Sequence, residues 1–155
     1  MLAALSVEEH VSEQSRIVAE VFGVMADIVV EPANDPWPPG EELVTAAIYF
    51  TEPWKGAMVL ECVLPLAYEF TVRVMSVPMP TSVDADVCDS MGELVNMIAG
   101  NFKALMPAET GISIPSVERG RDYVLQMRGS KTLSQIVFES EFGPCSVTLV
   151  GVTLK

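Results

Sequence analysis

Residues 84–106 repeat apolar side chains at helical spacing and stop at Pro107. Met91, Leu94, Val95, Ile98, Phe102 and Leu105 fall in one arc at about 100° per residue. The residue before a proline is pushed out of the helical region, so the helix ends before Pro107. A helix this long with one apolar face needs a second layer to cover it.

The flanking sequence supplies that layer as strands. A first helix is predicted over 7–25, opened by the capping box Ser6-Val7-Glu8-Glu9, with Val7, Val11, Val18, Phe22 and Met25 on one stripe. Ile28, Val29 and Val30 predict a short buried strand at 27–31. A loop with four prolines covers 32–42, and its Trp37 is expected to fold back as a lid on the core. Residues 43–51 and 57–63 read as a hairpin turning at Glu52-Pro53-Trp54-Lys55-Gly56. Residues 64–77 predict a helix with Pro65 in its first turn, broken by Pro78 and Pro80. Beyond the long helix, strands are expected at 112–117, 121–128, 133–140 and 145–154. Gly129-Ser130-Lys131 and Phe142-Gly143-Pro144 are the turns between the last three.

Helix, three strands, helices, four strands is an α+β order with antiparallel meanders, not a βαβ series. Each half runs long helix, short strand, hairpin. The expected fold is therefore a duplicated αβββ unit with an antiparallel sheet and two long helices. Its 155 residues form a single domain, 1–155, that buries about two-thirds of the unfolded surface.

Charge excludes several functions. The net charge is −12, and nine Lys plus Arg are scattered along the chain. Nucleic acid needs a basic stripe, and anionic membranes need the same sign of charge. Neither is expected as a partner. No apolar run reaches ~18 residues, and 1–9 lacks a basic leader, so a cytoplasmic protein without a signal peptide is expected. Cys62, Cys88 and Cys145 show no C-x-x-C spacing and are expected to be reduced. One histidine, His10, read as exposed on the first helix, cannot build a multi-His zinc site.

The outer face of the long helix holds the candidate site. Asp89, Glu93, Asn96 and Gly100 fall within roughly 60° opposite the apolar arc. Lys103 lies beside them and Gly92 flanks them. Each glycine costs roughly 1 kcal/mol relative to alanine inside a helix. Missing side chains there suit close approach by another backbone. By spacing alone an ordinary solvated face remains open, since early acidic residues also suit the helix dipole.

The stretch Asp89-Ser90-Met91-Gly92-Glu93-Leu94-Val95-Asn96-Met97-Ile98-Ala99-Gly100-Asn101 resembles the signature of the CheC/CheX family of chemotaxis phosphatases. Asp89, Glu93 and Asn96 match that signature in type and spacing, Pro115 supplies its later proline, and Gly100-Asn101 is typical of the CheX branch. CheC resembles a protein with a motif on each long helix. Here Glu8, Glu9, Glu13 and Glu20 are followed three residues on by Val11, Ser12, Arg16 and Gly23, never Asn. The resemblance is therefore to single-motif CheX, with the first helix structural.

The resemblance implies hydrolysis of the aspartyl phosphate of a CheY-like response regulator. Asn96 would orient the attacking water, Glu93 would pair with the regulator's Lys, and Asp89 would position the helix. Asp89, Gly92, Gly100 and Lys103 would lie in the docking surface. The regulator would supply Mg2+, so this chain needs no cofactor of its own. The resemblance also implies a homodimer joined at a sheet edge. The rivals are a non-catalytic module docking a regulator or flagellar switch protein, and an unrelated acidic domain that dimerises.

Overall fold

The computed structural model describes residues 7–120 and 130–152. The first element is helix α1, Val7–Ala26. Ile17, Val18, Val21 and Phe22 bury its inner stripe. The Ser6 cap and the side chain of His10 lie outside the described residues. The helix stops at Asp27, which takes a left-handed φ of 56°. Its N–H bonds Gly23 O at 3.0 Å, and the N–H of Ile28 bonds Phe22 O at 3.4 Å.

That stop corrects the expected strand at 27–31. Backbone groups at its start close the helix instead of joining a sheet. Ile28 and Val30 plug the core, while Val29 between them is 72% exposed. Strand β1, Glu31–Ala33, begins only where Glu31 pairs with Glu139.

Strands β2, Leu43–Phe50, and β3, Gly56–Val63, form the expected antiparallel hairpin. Trp37 packs against the edge of the core, and its indole N–H donates to Glu61 Oε1 at 2.8 Å. Helix α2, Leu64–Met75, follows β3 directly, with proline in its first turn. Helix α3, Ala85–Phe102, is capped by Asp84, whose Oδ1 accepts from the Val87 N–H at 3.0 Å. Residues Lys103–Leu105 tighten into a 3-10 turn, shortening the helix expected to reach 106.

Strand β4, Ser116–Arg119, starts later than the expected 112–117. Ile112 makes only a bridge to Phe50. Three steps along β2 then face four along this segment before Ala47 meets Ser116. The extra residue is a bulge, and Pro115 within it has no N–H for the ladder. The strand expected at 121–128 lies outside the described residues. Strands β5, Ser130–Glu139, and β6, Cys145–Val152, close the chain. Ser130 and Lys131, expected in a turn, already pair with β6. The turn at Phe142-Gly143-Pro144 is present, with Gly143 at a φ of 116°.

Among the described residues all the strand pairs are antiparallel, in the order β1-β5-β6-β3-β2-β4. Exchange β1 with β4, β2 with β5 and β3 with β6, and the same order reads backwards. The sheet is thus a pseudo-twofold pair of βββ units, each led by a long helix. The short helix α2 is the insertion that joins them. The helices cover one face of the sheet, with Phe22, Phe70 and Phe102 buried against Ile48, Leu60 and Val147. Phe22 and Phe70 meet edge to face at 5.7 Å.

The central β3–β6 ribbon carries a like pair at each end. Cys62 stands directly opposite Cys145, both fully buried. The hydrogen bond with Cys145 and then burial push the Cys62 thiol well above its ordinary value. At the other end Gly56 faces Gly151. The Trp54 indole occupies the space where a Gly56 side chain would stand, Leu133 and Trp54 share that at Gly151, and Trp54 meets Phe50 edge to face at 5.6 Å.

Candidate functional site

The burial of α3 decides which of its faces is free. Met91, Leu94, Val95, Ile98 and Phe102 are buried as the apolar arc requires. Asp89, Glu93 and Gly100 are exposed, and Asn96 is half-buried. Glu93 and Asn96 sit three residues apart, on one side of one turn.

A groove of about 590 Å³ runs between this face and residues 112–117. One wall is polar, formed by Asp89, Glu93 and Asn96 of α3. The other is apolar, formed by Ile112, Ile114, Pro115 and Val117. Gly92 is buried between them, where a Cβ would meet Pro115 Cγ at 3.6 Å and Val117 Cγ2 at 3.7 Å.

The apolar wall is fastened to the sheet. The Ser113 N–H donates to Tyr49 O at 2.8 Å, and the Tyr49 N–H donates to Ser113 Oγ at 2.9 Å. A serine side chain thus replaces the carbonyl that a regular strand would offer. The next residue, Ile114, is 89% exposed.

Electrostatics leave the polar wall unsatisfied. Neither the Glu93 carboxylate nor the Asn96 amide makes a side-chain hydrogen bond or ion pair with another described residue. A carboxylate and an amide on a groove wall, without partners among the described residues, can bind a group from outside. Cys88 also lines the groove. Burial, then the charges of Asp89 and Asp84, raise its thiol above the ordinary value. No group of three or more His, Cys, Asp or Glu among the described residues is placed to hold a metal ion. No helix among them is long and apolar enough to cross a membrane.

The structure therefore brings together Asp89, Gly92, Glu93, Asn96 and Pro115. Gly92 is a correction in part: it is groove floor under Pro115, not an open platform. Gly100 does face open space, with nothing within 4 Å of its Cβ position, but it lies outside the groove. Lys103 is half-buried in the 3-10 turn, also outside it. The Asn101 amide bonds back to Met97 O at 2.8 Å. Sequence reasoning missed Cys88, Ile112, Ser113, Ile114 and Val117. For Ile114 a signal existed, an isoleucine held before a proline in a stretch read as a strand.

The family model for the chemotaxis phosphatase CheX matches residues 44–139. No curated protein matches the chain in sequence. The fold is similar to chemotaxis protein CheX of Vibrio vulnificus, with a TM-score of 0.75 and 19% identity over 94% of this chain and 97% of that one. A chain of the CheX–CheY–BeF3–Mg2+ complex of Borrelia burgdorferi gives a TM-score of 0.71 at 15% identity, over 93% and 98%. A chain of the FliM–SpeE complex of H. pylori gives 0.65 at 12%, over 94% and 85%. At these identities the structural likeness shows the fold alone.

Proposed function

Since this chain belongs to the CheX family of chemotaxis phosphatases, we propose that it hydrolyses the aspartyl phosphate of a CheY-like response regulator. The observation that carries the reading is the pair Glu93 and Asn96, unpartnered among the described residues, on the polar wall of a groove faced by Pro115.

The chemistry needs little more than a positioned water. Water adds to phosphorus, the bond to the aspartate oxygen breaks, and phosphate and a free carboxylate remain. An amide both donates and accepts, so Asn96 can hold the water in line with the leaving oxygen. Glu93, one turn away, pairs with a lysine of the regulator and fixes the register. Asp89 extends the acidic wall toward the helix N-terminus. Mg2+ belongs to the regulator in this scheme. The complex solved for the Borrelia burgdorferi relative contains CheY and Mg2+, which supports this choice of partner. Cytoplasmic location and a homodimer joined along an exposed sheet edge, at β1 or β4, belong to the same proposal.

A second reading is supported by the likeness to a chain of a FliM complex. In it the groove docks a regulator or switch protein without hydrolysis. Decay of radiolabelled phosphoryl-regulator decides between them. Acceleration by this chain, lost in Asn96→Ala, supports the phosphatase. Binding with unchanged decay supports the docking module.

A further inference from the structure

The groove has two walls of opposite chemistry, and only the polar one enters the hydrolysis. The apolar wall ends in Ile114, a residue 89% exposed. A large aliphatic group left in water is ordinary when it stands alone on a mobile loop. Ile114 does neither. Ser113 before it is tied to Tyr49 by two hydrogen bonds of 2.8 and 2.9 Å, and its hydroxyl also donates to Ile114 O at 3.1 Å. Pro115 after it has a fixed φ and packs on Gly92. The backbone on both sides is therefore set before any partner arrives.

We propose that Ile114 is the apolar anchor of the regulator-docking surface, which sets affinity while Glu93 and Asn96 serve the chemistry. The inference rests on the proposed function for the identity of the partner. The partner it fits is a folded receiver protein with a cationic group beside an apolar patch. The cation meets Glu93 and Asp89, which face no cationic side chain among the described residues that line the groove. The apolar patch meets Ile114 and Pro115 on the opposite wall. A rigid anchor loses little conformational freedom on binding, so most of its buried area reaches the affinity.

The test is a titration of a CheY-like regulator loaded with beryllofluoride and Mg2+. Ile114→Ser is expected to raise Kd about tenfold, the effect of removing one well-buried aliphatic group. Ile114→Leu restores binding to within about threefold. Val29→Ser is the control: Val29 is 72% exposed too, but stands beside β1, at the opposite edge of the sheet from β4. Its Kd should stay unchanged. Equal Kd for Ile114→Ser and the unaltered protein overturns the anchor. Binding without accelerated decay overturns the phosphatase reading alone, and the Ile114 comparison still stands or falls on Kd. Absence of binding by the unaltered protein overturns both. Thermal melts confirm that Ile114→Ser is folded, as expected for a side chain in solvent.

Discussion

Pro115 lies on the backbone of Gly92, with its Cγ 3.6 Å from where a side chain at Gly92 would begin. That spacing is ordinary contact, so the floor accepts one methyl and little more. Gly92→Ala is expected to fold normally and gain up to about 1 kcal/mol of helix stability, read as a Tm rise of roughly 2–4 °C. Gly92→Leu is expected to lose about 1–3 kcal/mol by overpacking and to slow regulator dephosphorylation by shifting Pro115.

Asn96 has no side-chain partner within the described protein, so its removal should leave stability alone. Asn96→Ala is expected to lower phosphoryl-regulator turnover by about 100-fold or more, the cost of an unpositioned nucleophile. Its Tm should stay within a degree or two of the unaltered protein. Glu93→Gln removes a charge-assisted hydrogen bond of about 1.5–3 kcal/mol, and should reduce kcat/KM by roughly 10- to 100-fold.

Gly100 faces open space, so added bulk there should not disturb the fold. Gly100→Leu is expected to keep or raise Tm. If a partner approaches along α3 beyond the groove, the same change weakens regulator binding about tenfold. Unchanged affinity would confine docking to the groove.

Cys88 offers a chemical probe of the site. Its thiol is raised by burial and by Asp89 and Asp84, and alkylation follows the thiolate. A raised value means less thiolate at a given pH, so at about pH 8 it should react more slowly than a free cysteine. Its rate should keep climbing above pH 9. Asp89→Asn removes one negative charge and should speed the reaction at about pH 8. Bound regulator should protect Cys88, and mass spectrometry locates the adduct. Cys62 and Cys145 are fully buried and should stay unmodified in the native protein.

Among the described glycines, Gly56 is the one least able to accept a side chain. A Cβ there would land on the Trp54 indole and the Val150 carbonyl. Gly56→Ala is expected to destabilise by about 3 kcal/mol, at the upper end for overpacking. Trp54→Ala in the same background should recover part of the loss, and a thermal-melt cycle of the two changes measures it.

Most elements were legible because their periodicity answers to one layer of contacts. The arc from Met91 to Phe102 buries as the wheel requires, and the β2–β3 hairpin turns where Pro53 and Gly56 place it. The errors lie where backbone hydrogen bonds settle the outcome. Ile28, Val29 and Val30 look like a strand, but Asp27 closes a helix with the adjacent groups. The stretch at 112–117 also looks like a strand, but Ser113 substitutes its hydroxyl in the ladder and Pro115 interrupts it. At the site, one wall was legible as a helical spacing. The other was not, since no periodicity on α3 reveals which distant loop will face it. The opposition of Cys62 and Cys145, 83 residues apart in sequence, was hidden for the same reason.

The pseudo-twofold sheet has a consequence for how the chain could be divided. Strand β1 pairs with β5 and β4 with β2, so each half donates its first strand to the other. A break between α2 and α3 would leave both pieces with unfilled edges and half a ribbon. Neither would close a sheet alone, yet each carries the complement of the other. The chemistry does not share this symmetry, because the carboxylate and amide stand on α3 only. Severed pieces would therefore have to reassemble before a working groove existed, which makes recovery of the proposed phosphatase activity a reporter of their association.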